Sequence, residues 1–253
     1  MAQKLRIGDT EVARIGLGTN RLADTPENVD FVREAVGAGV GLIDTAHTYT
    51  GGRSEETIGA ALAPPPEGCV VATKGGYNGA RPDVLRDEIE ESLRRLRAES
   101  LALYYLHRVD PATPIEESLA VIADYRERGR IRHVGVCAVG IEQIERAREV
   151  VPIVAVQNHY NLTERGHEDV VDYCAAEGIV FVPYFPLRDG GPPALAEVAE
   201  RRGATPAQIA LAWLLRRSPA MLPIPGTLSL EHLRENLAAL EIELSNAEFE
   251  TLA

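Results

Sequence analysis

Short runs of consecutive apolar residues alternate with segments in which apolar residues recur every three or four positions, along nearly the whole chain. The first pattern is typical of strands buried on both faces, and the second of amphipathic helices packed over them. Their alternation predicts parallel β-α-β units. The candidate strands lie at residues 13–18, 40–45, 69–74, 101–107, 131–137, 153–158, 179–184 and 221–225.

Helix starts are marked by a polar residue followed by proline. Thr25-Pro26, Thr113-Pro114 and Thr205-Pro206 each have the pattern of an N-cap and a first-turn proline, and Pro82 opens a further helix. Ser245 and Glu248 predict a capping box for a short terminal helix. The patterns predict helices over 26–36, 82–96, 115–128 and 207–216.

The first residues predict a different element. Residues 5–18 have the pattern of a hairpin that turns at Gly8-Asp9, ahead of the first barrel strand. The chain has 253 residues, close to the roughly 250 of an eight-unit β/α barrel. We predict one domain over 1–253: a (β/α)8 TIM barrel whose N-terminal β-hairpin caps the barrel bottom.

Composition narrows the classes of partner. A formal net charge of −12 argues against nucleic-acid binding, which depends on excess lysine and arginine. No apolar run is long enough to cross a bilayer, and the first residues lack the apolar stretch of a secretory signal, so we expect a cytoplasmic protein. Cys69, Cys137 and Cys174 lie far apart in apolar runs and are expected to be buried thiols rather than disulfides or zinc ligands. We expect no metal, and a monomer or weak homo-oligomer.

Four titratable residues, Asp44, Tyr49, Lys74 and His107, lie where successive predicted strands end. A β/α barrel brings strand ends to the face where its chemistry occurs, so these side chains are expected to meet in one pocket. Each also has an ordinary interpretation, such as a helix cap, a surface charge, a loop aromatic or a rim histidine. Their common position and order favour the catalytic interpretation.

The stretches around these residues resemble the aldo-keto reductases. They occur in the order of that family over nearly the whole chain. The matching stretches are GLGTNRL, IDTAHTYTGGRSEETIGAAL, ATKGG, LYYLHRVDPATPIEESL, GRIRHVGVC, VAVQNHYN, VPYFPL and IPGTLSLEHLRENLAAL.

The resemblance implies hydride transfer between a nicotinamide dinucleotide and a small carbonyl compound. Tyr49 would donate a proton to the carbonyl oxygen. Lys74 would lower the pKa of Tyr49, which is about 10 when unperturbed, and Asp44 would hold Lys74 charged and oriented. His107 would position the carbonyl oxygen and share the proton.

The resemblance also implies NADPH as cofactor, with NADH left open. Gln157 would bind the carboxamide and Tyr184 would stack on the nicotinamide, while the start of the last barrel helix would receive a phosphate. The implied cofactor contacts are Gly18, Thr19, Asn20, Asp44, Cys137, Gln157, Tyr184, Pro186, Leu187, Ile224, Gly226, Thr227, His232, Glu235 and Asn236.

Two departures from the family pattern affect the cofactor site. Cys137-Ala138 stands where many members have Ser-Asn, so carboxamide binding would depend on Gln157, with Asn158 as a second candidate. Gly226 and His232 stand where many members place cations around the 2′-phosphate, which predicts a modest preference for NADPH over NADH.

The substrate side departs as well, because aromatic positions of many members correspond here to Asn20, Gly76 and Arg108, with Tyr77 beside them. This favours a polar, anionic carbonyl compound that Arg108 would bind. The alternative is that Arg108 pairs with Asp110 or Glu116. The short loops predict an open pocket with broad acceptance.

Two other functions remain open from sequence. The first is a non-catalytic barrel that binds the nucleotide as a sensor or regulatory subunit. The departure from the family pattern at Cys137-Ala138 is compatible with this function. The second is a lyase or isomerase in which Lys74 forms a Schiff base.

Overall fold

The computed structural model describes residues 4–188 and 190–252. It begins with an antiparallel hairpin of β1 (Lys4–Ile7) and β2 (Thr10–Ala13), in which Ile7 pairs with Thr10 across a turn formed by Gly8 and Asp9. The predicted hairpin is confirmed.

Seven parallel strands follow, and each pairs with the next along the chain. They are β3 (Leu17–Gly18), β4 (Leu42–Asp44), β5 (Val70–Gly75), β6 (Leu101–Leu106), β7 (Ile131–Cys137), β8 (Ile153–Gln157) and β9 (Val180–Phe181). The helices are α1 (Pro26–Gly37), α2 (Arg53–Leu62), α3 (Pro82–Arg95), α4 (Ile115–Glu127), α5 (Ile141–Val150), α6 (Glu168–Glu177), α7 (Ala194–Arg202), α8 (Pro206–Arg217), α9 (Leu230–Ala238) and α10 (Asn246–Leu252).

Residues 220–226 close the barrel between β9 and β3. On one side they exchange two backbone hydrogen bonds with Phe181, and on the other Gly18 donates its amide to the Pro225 carbonyl at 3.2 Å. Pro223 and Pro225 have no amide proton, so this segment accepts hydrogen bonds without forming a regular ladder. The predicted eighth strand is therefore an irregular closing segment, and the (β/α)8 architecture is confirmed.

Two of the predicted strands are interrupted in the structure. The run 13–18 contains the last residue of β2 and both residues of β3, and the run 179–184 contributes only β9 plus an isolated bridge from Tyr184 to His159. Pro183 interrupts the second run because it cannot donate to a ladder.

The predicted helix caps are confirmed at two of three positions. Thr25 and Thr205 accept amides of the first turn of α1 and α8 through their hydroxyls. Thr113 does not cap α4, whose N-cap is Pro114. The Thr113 hydroxyl donates to Asp110 at 3.2 Å instead. The capping box of Ser245 with Glu248 at α10 is confirmed.

The barrel interior is filled from below by the hairpin. Ile7 and Val12 pack in one buried cluster with Leu42, Val70 and Leu103 of three successive barrel strands. This closes the bottom as predicted and leaves the C-terminal ends of the strands as the face for chemistry. A second cluster lies between the strands and the surrounding helices.

Candidate active site

The four predicted catalytic residues converge at the C-terminal ends of β4, β5 and β6. Asp44 is the last residue of β4, Lys74 lies near the end of β5, and His107 directly follows β6. Tyr49 opens a 3-10 turn, Tyr49–Gly52, between β4 and α2. The strand-end pattern in the sequence therefore places all four side chains at one site.

Lys74 is the centre of this arrangement. Its Nζ donates to Asp44 Oδ1 at 2.5 Å, to the Thr45 carbonyl at 2.6 Å and to Tyr49 Oη at 3.4 Å. An ammonium group has three N–H donors, and here each has an acceptor. Lys74 is 0% exposed and Asp44 1% exposed, so water does not compete for these bonds.

The charges of this buried pair stabilise each other. Burial raises the pKa of Asp44, while Lys74 and Gln157, which donates to Asp44 Oδ2 at 2.8 Å, oppose the rise. Burial acts to lower the pKa of Lys74, but Asp44 and Tyr49 outweigh it and the pKa lies above its ordinary value. Lys74 is therefore held as an ammonium.

Tyr49 differs from the prediction in the net direction of its pKa. Burial raises the pKa of the phenol above its ordinary value, and the opposing effect of Lys74 only partly offsets it. The pairwise effect of Lys74 has the predicted sign, but burial is larger. At neutral pH the phenol is protonated, which is the state a proton donor needs.

His107 packs against Tyr49 with ring centroids 5.9 Å apart, and its backbone amide donates to the Gly75 carbonyl at 2.7 Å. Burial, together with Lys74 and Arg108, lowers the pKa of His107 to about 3. The imidazole is therefore neutral in the physiological range. A neutral ring can orient a carbonyl oxygen by a hydrogen bond but does not act as a cationic acid.

Sequence analysis missed the side chains beneath the Tyr49 turn. Arg95 Nη1 donates to the His47 carbonyl at 3.0 Å and lies 3.3 Å from Glu55 Oε2, and Glu55 is 0% exposed. The signal was present, because Glu55 shares the buried face of α2 with Ile58 and Leu62. A carboxylate on an apolar stripe requires a buried partner.

The low lysine content of the chain is a second signal that points to Lys74. Lysine occurs only at positions 4 and 74, and 24 of the 26 basic residues are arginine. The three bonds from Nζ of Lys74 suit a compact ammonium better than a planar guanidinium.

The residues predicted to hold the nicotinamide lie beside the Lys74–Asp44 pair. Gln157 ends β8 and is buried, with its amide nitrogen on Asp44. Cys137 ends β7 next to it, and burial raises the pKa of its thiol, which stays neutral. Tyr184 is half-buried and stacks on His159 at 5.3 Å between ring centroids.

Ala138 has a conformation that is unusual for alanine. Its φ is +55°, in the left-handed region that glycine and asparagine adopt more readily. At the departure Cys137-Ala138, the structure therefore holds an alanine in a backbone conformation that asparagine, the residue of many family members, adopts more readily.

Other predicted cofactor contacts lie in the loop after β3, along the closing segment and in α9. Gly18 and Gly226 form a backbone bridge, and Thr19 donates its hydroxyl to the Asp44 carbonyl at 2.8 Å. Ser229 caps α9 by accepting the amide of His232. Of the remaining predicted cofactor contacts, Asn20, Thr227, His232, Glu235 and Leu187 are at least partly exposed, and Pro186, Ile224 and Asn236 are buried.

On the substrate side, Tyr77 lies between His107 and Arg108. Its ring centroid is 4.9 Å from that of His107, and the guanidinium carbon of Arg108 is 4.6 Å from the Tyr77 centroid. Asn20 is exposed beside Gly226.

The alternative partners of Arg108 are engaged elsewhere. Asp110 accepts from the amides of Ala80 and Ala112, and Glu116 pairs with Arg146 at 2.7 Å. Within residues 4–188 and 190–252, Arg108 has no ion-pair partner; its contact is the Tyr77 ring.

Among the described residues, no group of three or more His, Cys, Asp or Glu side chains is arranged to hold a metal ion. No helix in the described part of the chain combines the length and apolar character needed to cross a membrane.

A β/α barrel with a buried lysine–aspartate pair hydrogen-bonded to a tyrosine beside a histidine defines a class of oxidoreductases. The sequence matches the model of the Aldo/keto reductase family over residues 14–192 and 191–253. The chain belongs to this family.

Individual relatives agree with this assignment. The chain is 36% identical to pyridoxine 4-dehydrogenase of Escherichia coli, over 97% of this chain and 96% of that protein. It is 37% identical to an uncharacterized oxidoreductase of Schizosaccharomyces pombe, over 99% and 89% of the two chains. An aldo/keto reductase of Klebsiella pneumoniae, solved with NADP and acetate, superimposes with a TM-score of 0.89 at 31% identity, covering 100% of this chain and 94% of that one.

Proposed function

We propose that the protein is an NADPH-dependent oxidoreductase that reduces an aldehyde or ketone, with Tyr49 as proton donor. The observation that carries the proposal is the chain of hydrogen bonds from Asp44 through the Lys74 ammonium to Tyr49 Oη, at 2.5 and 3.4 Å. It ends beside a neutral His107.

The donor set of this site suits a nicotinamide dinucleotide. Buried Gln157 offers amide chemistry to a carboxamide, half-buried Tyr184 offers a ring face, and α9 offers its N-terminal amides to phosphate. When bound, the cofactor supplies the hydride. The Klebsiella relative was solved with NADP, which supports NADPH here.

The protein's own residues hold and move the proton. Tyr49 Oη accepts a hydrogen bond from the Lys74 ammonium, so its own O–H is left to donate to the substrate oxygen. The ammonium stabilises the phenolate that remains. Neutral His107 orients the same oxygen. In the reverse direction the phenolate of Tyr49 accepts the alcohol proton.

Two alternatives are disfavoured by the same geometry. A sensor without catalysis gives no reason for the contact of Lys74 with Tyr49. A Schiff base requires Lys74 as a neutral amine, but the pKa of Lys74 lies above its ordinary value, because burial is outweighed by Asp44 and Tyr49.

We expect NADPH consumption with a panel of aldehydes and ketones, including pyridoxal because of the relative from Escherichia coli. Gly226 and His232 stand where many family members place cations around the 2′-phosphate of NADPH. We therefore expect kcat/KM to favour NADPH over NADH by only about tenfold, which corresponds to about 1.4 kcal/mol. Assaying the same panel with NADPH and with NADH measures both the turnover and the cofactor preference. A preference far above this would refute modest discrimination, and nucleotide binding without turnover would favour the sensor.

We also propose an anionic substrate, because Arg108 lies at the rim on the Tyr77 ring without a carboxylate partner in the described ranges. Arg108→Ala should raise KM about five- to tenfold for a carboxylated benzaldehyde, and little for the methyl analogue, since charge-assisted bonds at an exposed site are modest. Arg81→Ala, which removes an exposed arginine paired with Asp83, is the matched control. Equal effects of Arg108→Ala on both substrates would disprove the proposal.

The remaining assignments are proposals of the same kind. We place the protein in the cytoplasm as a single-domain monomer or weak homo-oligomer that binds neither nucleic acid nor membrane. Its free cysteines, Cys69, Cys137 and Cys174, support a reducing compartment. Cys69 is only partly buried, while the other two are buried as expected.

A further inference from the structure

The segment 45–52, here called the Tyr49 loop, carries the proton donor but has an unusual backbone. Thr50, Gly51 and Gly52 have successive φ values of +49°, +69° and +92°. Left-handed conformations are unfavourable for threonine, so the loop depends on outside contacts to hold its path. One such contact lies above it, where the Thr50 hydroxyl donates to the Leu22 carbonyl at 2.7 Å.

Arg95, at the end of α3, supports the Tyr49 loop from below. Its Nη1 donates to the His47 carbonyl at 3.0 Å and lies 3.3 Å from the ring nitrogen Nδ1 of His47. The guanidinium also packs directly against Gly52, where an added Cβ would lie 2.3 Å from the guanidinium carbon. One planar group thus contacts the loop on both sides of Tyr49.

Two carboxylates fix the position of the guanidinium. Glu55 Oε2 lies 3.3 Å from Arg95 Nη1, and Glu91 Oε1 lies 3.0 Å from its Nε. Glu55 is held in turn by the Thr73 hydroxyl, which donates to Oε1 at 2.6 Å. Since Thr73 precedes Lys74 on β5, these bonds connect the strand that carries Lys74 to the support of the Tyr49 loop.

A third bond closes the connection, because the amide of His47 donates to the Lys74 carbonyl at 2.9 Å. His47 is therefore bound to Lys74 through its amide and to Arg95 through its carbonyl. Burial and the neighbouring Arg95 lower the pKa of His47, so its ring is neutral and does not repel the guanidinium.

We propose that Arg95 is a positioning residue, which holds the Tyr49 loop so that the phenol stays in contact with Lys74 and the substrate oxygen. The inference rests on the proposed role of Tyr49 as proton donor. Arginine suits this position because its fork serves several acceptors in one plane, whereas lysine offers a single point of contact.

The test compares Arg95→Met, Arg95→Lys and the double variant Arg95→Met with Glu55→Gln. For each we would measure kcat, KM, the Kd for NADPH and Tm. Arg95→Met should lower kcat about 10- to 100-fold with the Kd for NADPH unchanged, because small misplacements of catalytic groups are costly. Arg95→Lys should fall between Arg95→Met and the wild type.

The double variant separates positioning from folding. Arg95→Met alone leaves the buried Glu55 carboxylate without its cation and should lower Tm. Adding Glu55→Gln removes that charge and should restore Tm while kcat stays low. The control is Arg94→Met, which removes an exposed arginine paired with Glu91 on the same helix. It should leave kcat and Tm unchanged.

Two results would overturn the inference: wild-type kcat in a folded Arg95→Met variant, or full recovery of kcat together with Tm in the double variant. Tyr49→Phe is assayed in parallel. If that variant keeps its activity, the role of Tyr49 fails, whatever Arg95 does. If it is inactive while the Arg95 variants match the wild type, only the positioning role fails.

Discussion

Replacing Tyr49 with phenylalanine should lower kcat for carbonyl reduction by about 10²- to 10⁴-fold, the usual contribution of a positioned general acid. Only the hydroxyl is lost. The ring that packs on His107 at 5.9 Å and lies 4.9 Å from Lys74 Nζ remains, so Tm should change little. Steady-state assays with NADPH and a reactive aldehyde measure the loss.

The pH dependence provides a second measurement. Burial raises the pKa of Tyr49 above its ordinary value of 10.0, with Lys74 only partly opposing it. Reduction needs the protonated phenol, so its rate should be constant from neutral pH up to that pKa and decline above it. Oxidation of the alcohol needs the phenolate, so its rate should rise with pH up to that pKa and level off above it. The raised pKa therefore favours reduction at neutral pH.

Tyr173→Phe makes the same chemical change on α6, where the hydroxyl accepts from Arg148 at 2.7 Å. It should leave kcat and the pH profile unaltered. Wild-type activity in Tyr49→Phe would show that another group supplies the proton. His107 would be a poor replacement, because burial, Lys74 and Arg108 lower its pKa to about 3.

The barrel and the catalytic convergence could be predicted because both follow from local patterns. Continuous apolar runs such as that of β5 mark buried parallel strands, and the polar residue at the end of each run then lies on the catalytic face. Lys74 and His107 needed no further information to be placed. The caps at Thr25 and Thr205 are also local, since one hydroxyl binds an amide three residues later.

The parts that could not be predicted depend on groups distant in sequence. Thr113 has the same cap-then-proline pattern as Thr205, but Asp110 captures its hydroxyl. The net pKa direction of Tyr49 depends on burial by the whole barrel face, which no short motif encodes. Arg95 supports the Tyr49 loop from a helix about 45 residues downstream in the printed sequence.

Gln157 illustrates how one residue serves two requirements. Family resemblance implies a carboxamide contact, and the structure shows its amide nitrogen on Asp44 Oδ2 at 2.8 Å. The second bond matters because the Asp44 carboxylate is buried, at 1% exposure, and each of its two oxygens needs a hydrogen-bond donor. Strand register explains the meeting, since Gln157 ends β8 and pairs with Cys137 at the end of β7.

The second large effect is expected for Lys74→Met. The change removes the cation 2.5 Å from Asp44 and leaves a carboxylate at 1% exposure whose remaining donor, among the described residues, is Gln157. Breaking a buried pair from one side costs about 3–5 kcal/mol of unfolding free energy. Activity should fall by about 10²-fold or more, because Tyr49 loses the ammonium that stabilises its phenolate. Urea unfolding and kcat measure the two effects.

The double variant Asp44→Asn with Lys74→Met removes both charges, so it should recover much of the stability without recovering activity. Lys4→Met is the matched control, since Lys4 is the other lysine of the chain and forms an exposed pair with Glu11 at 3.1 Å. An exposed pair of this kind contributes about 0–1 kcal/mol. If Lys74→Met were no more destabilising than Lys4→Met, the pair at the centre of the site would not be ionised, and the proton-transfer mechanism built on it would fail.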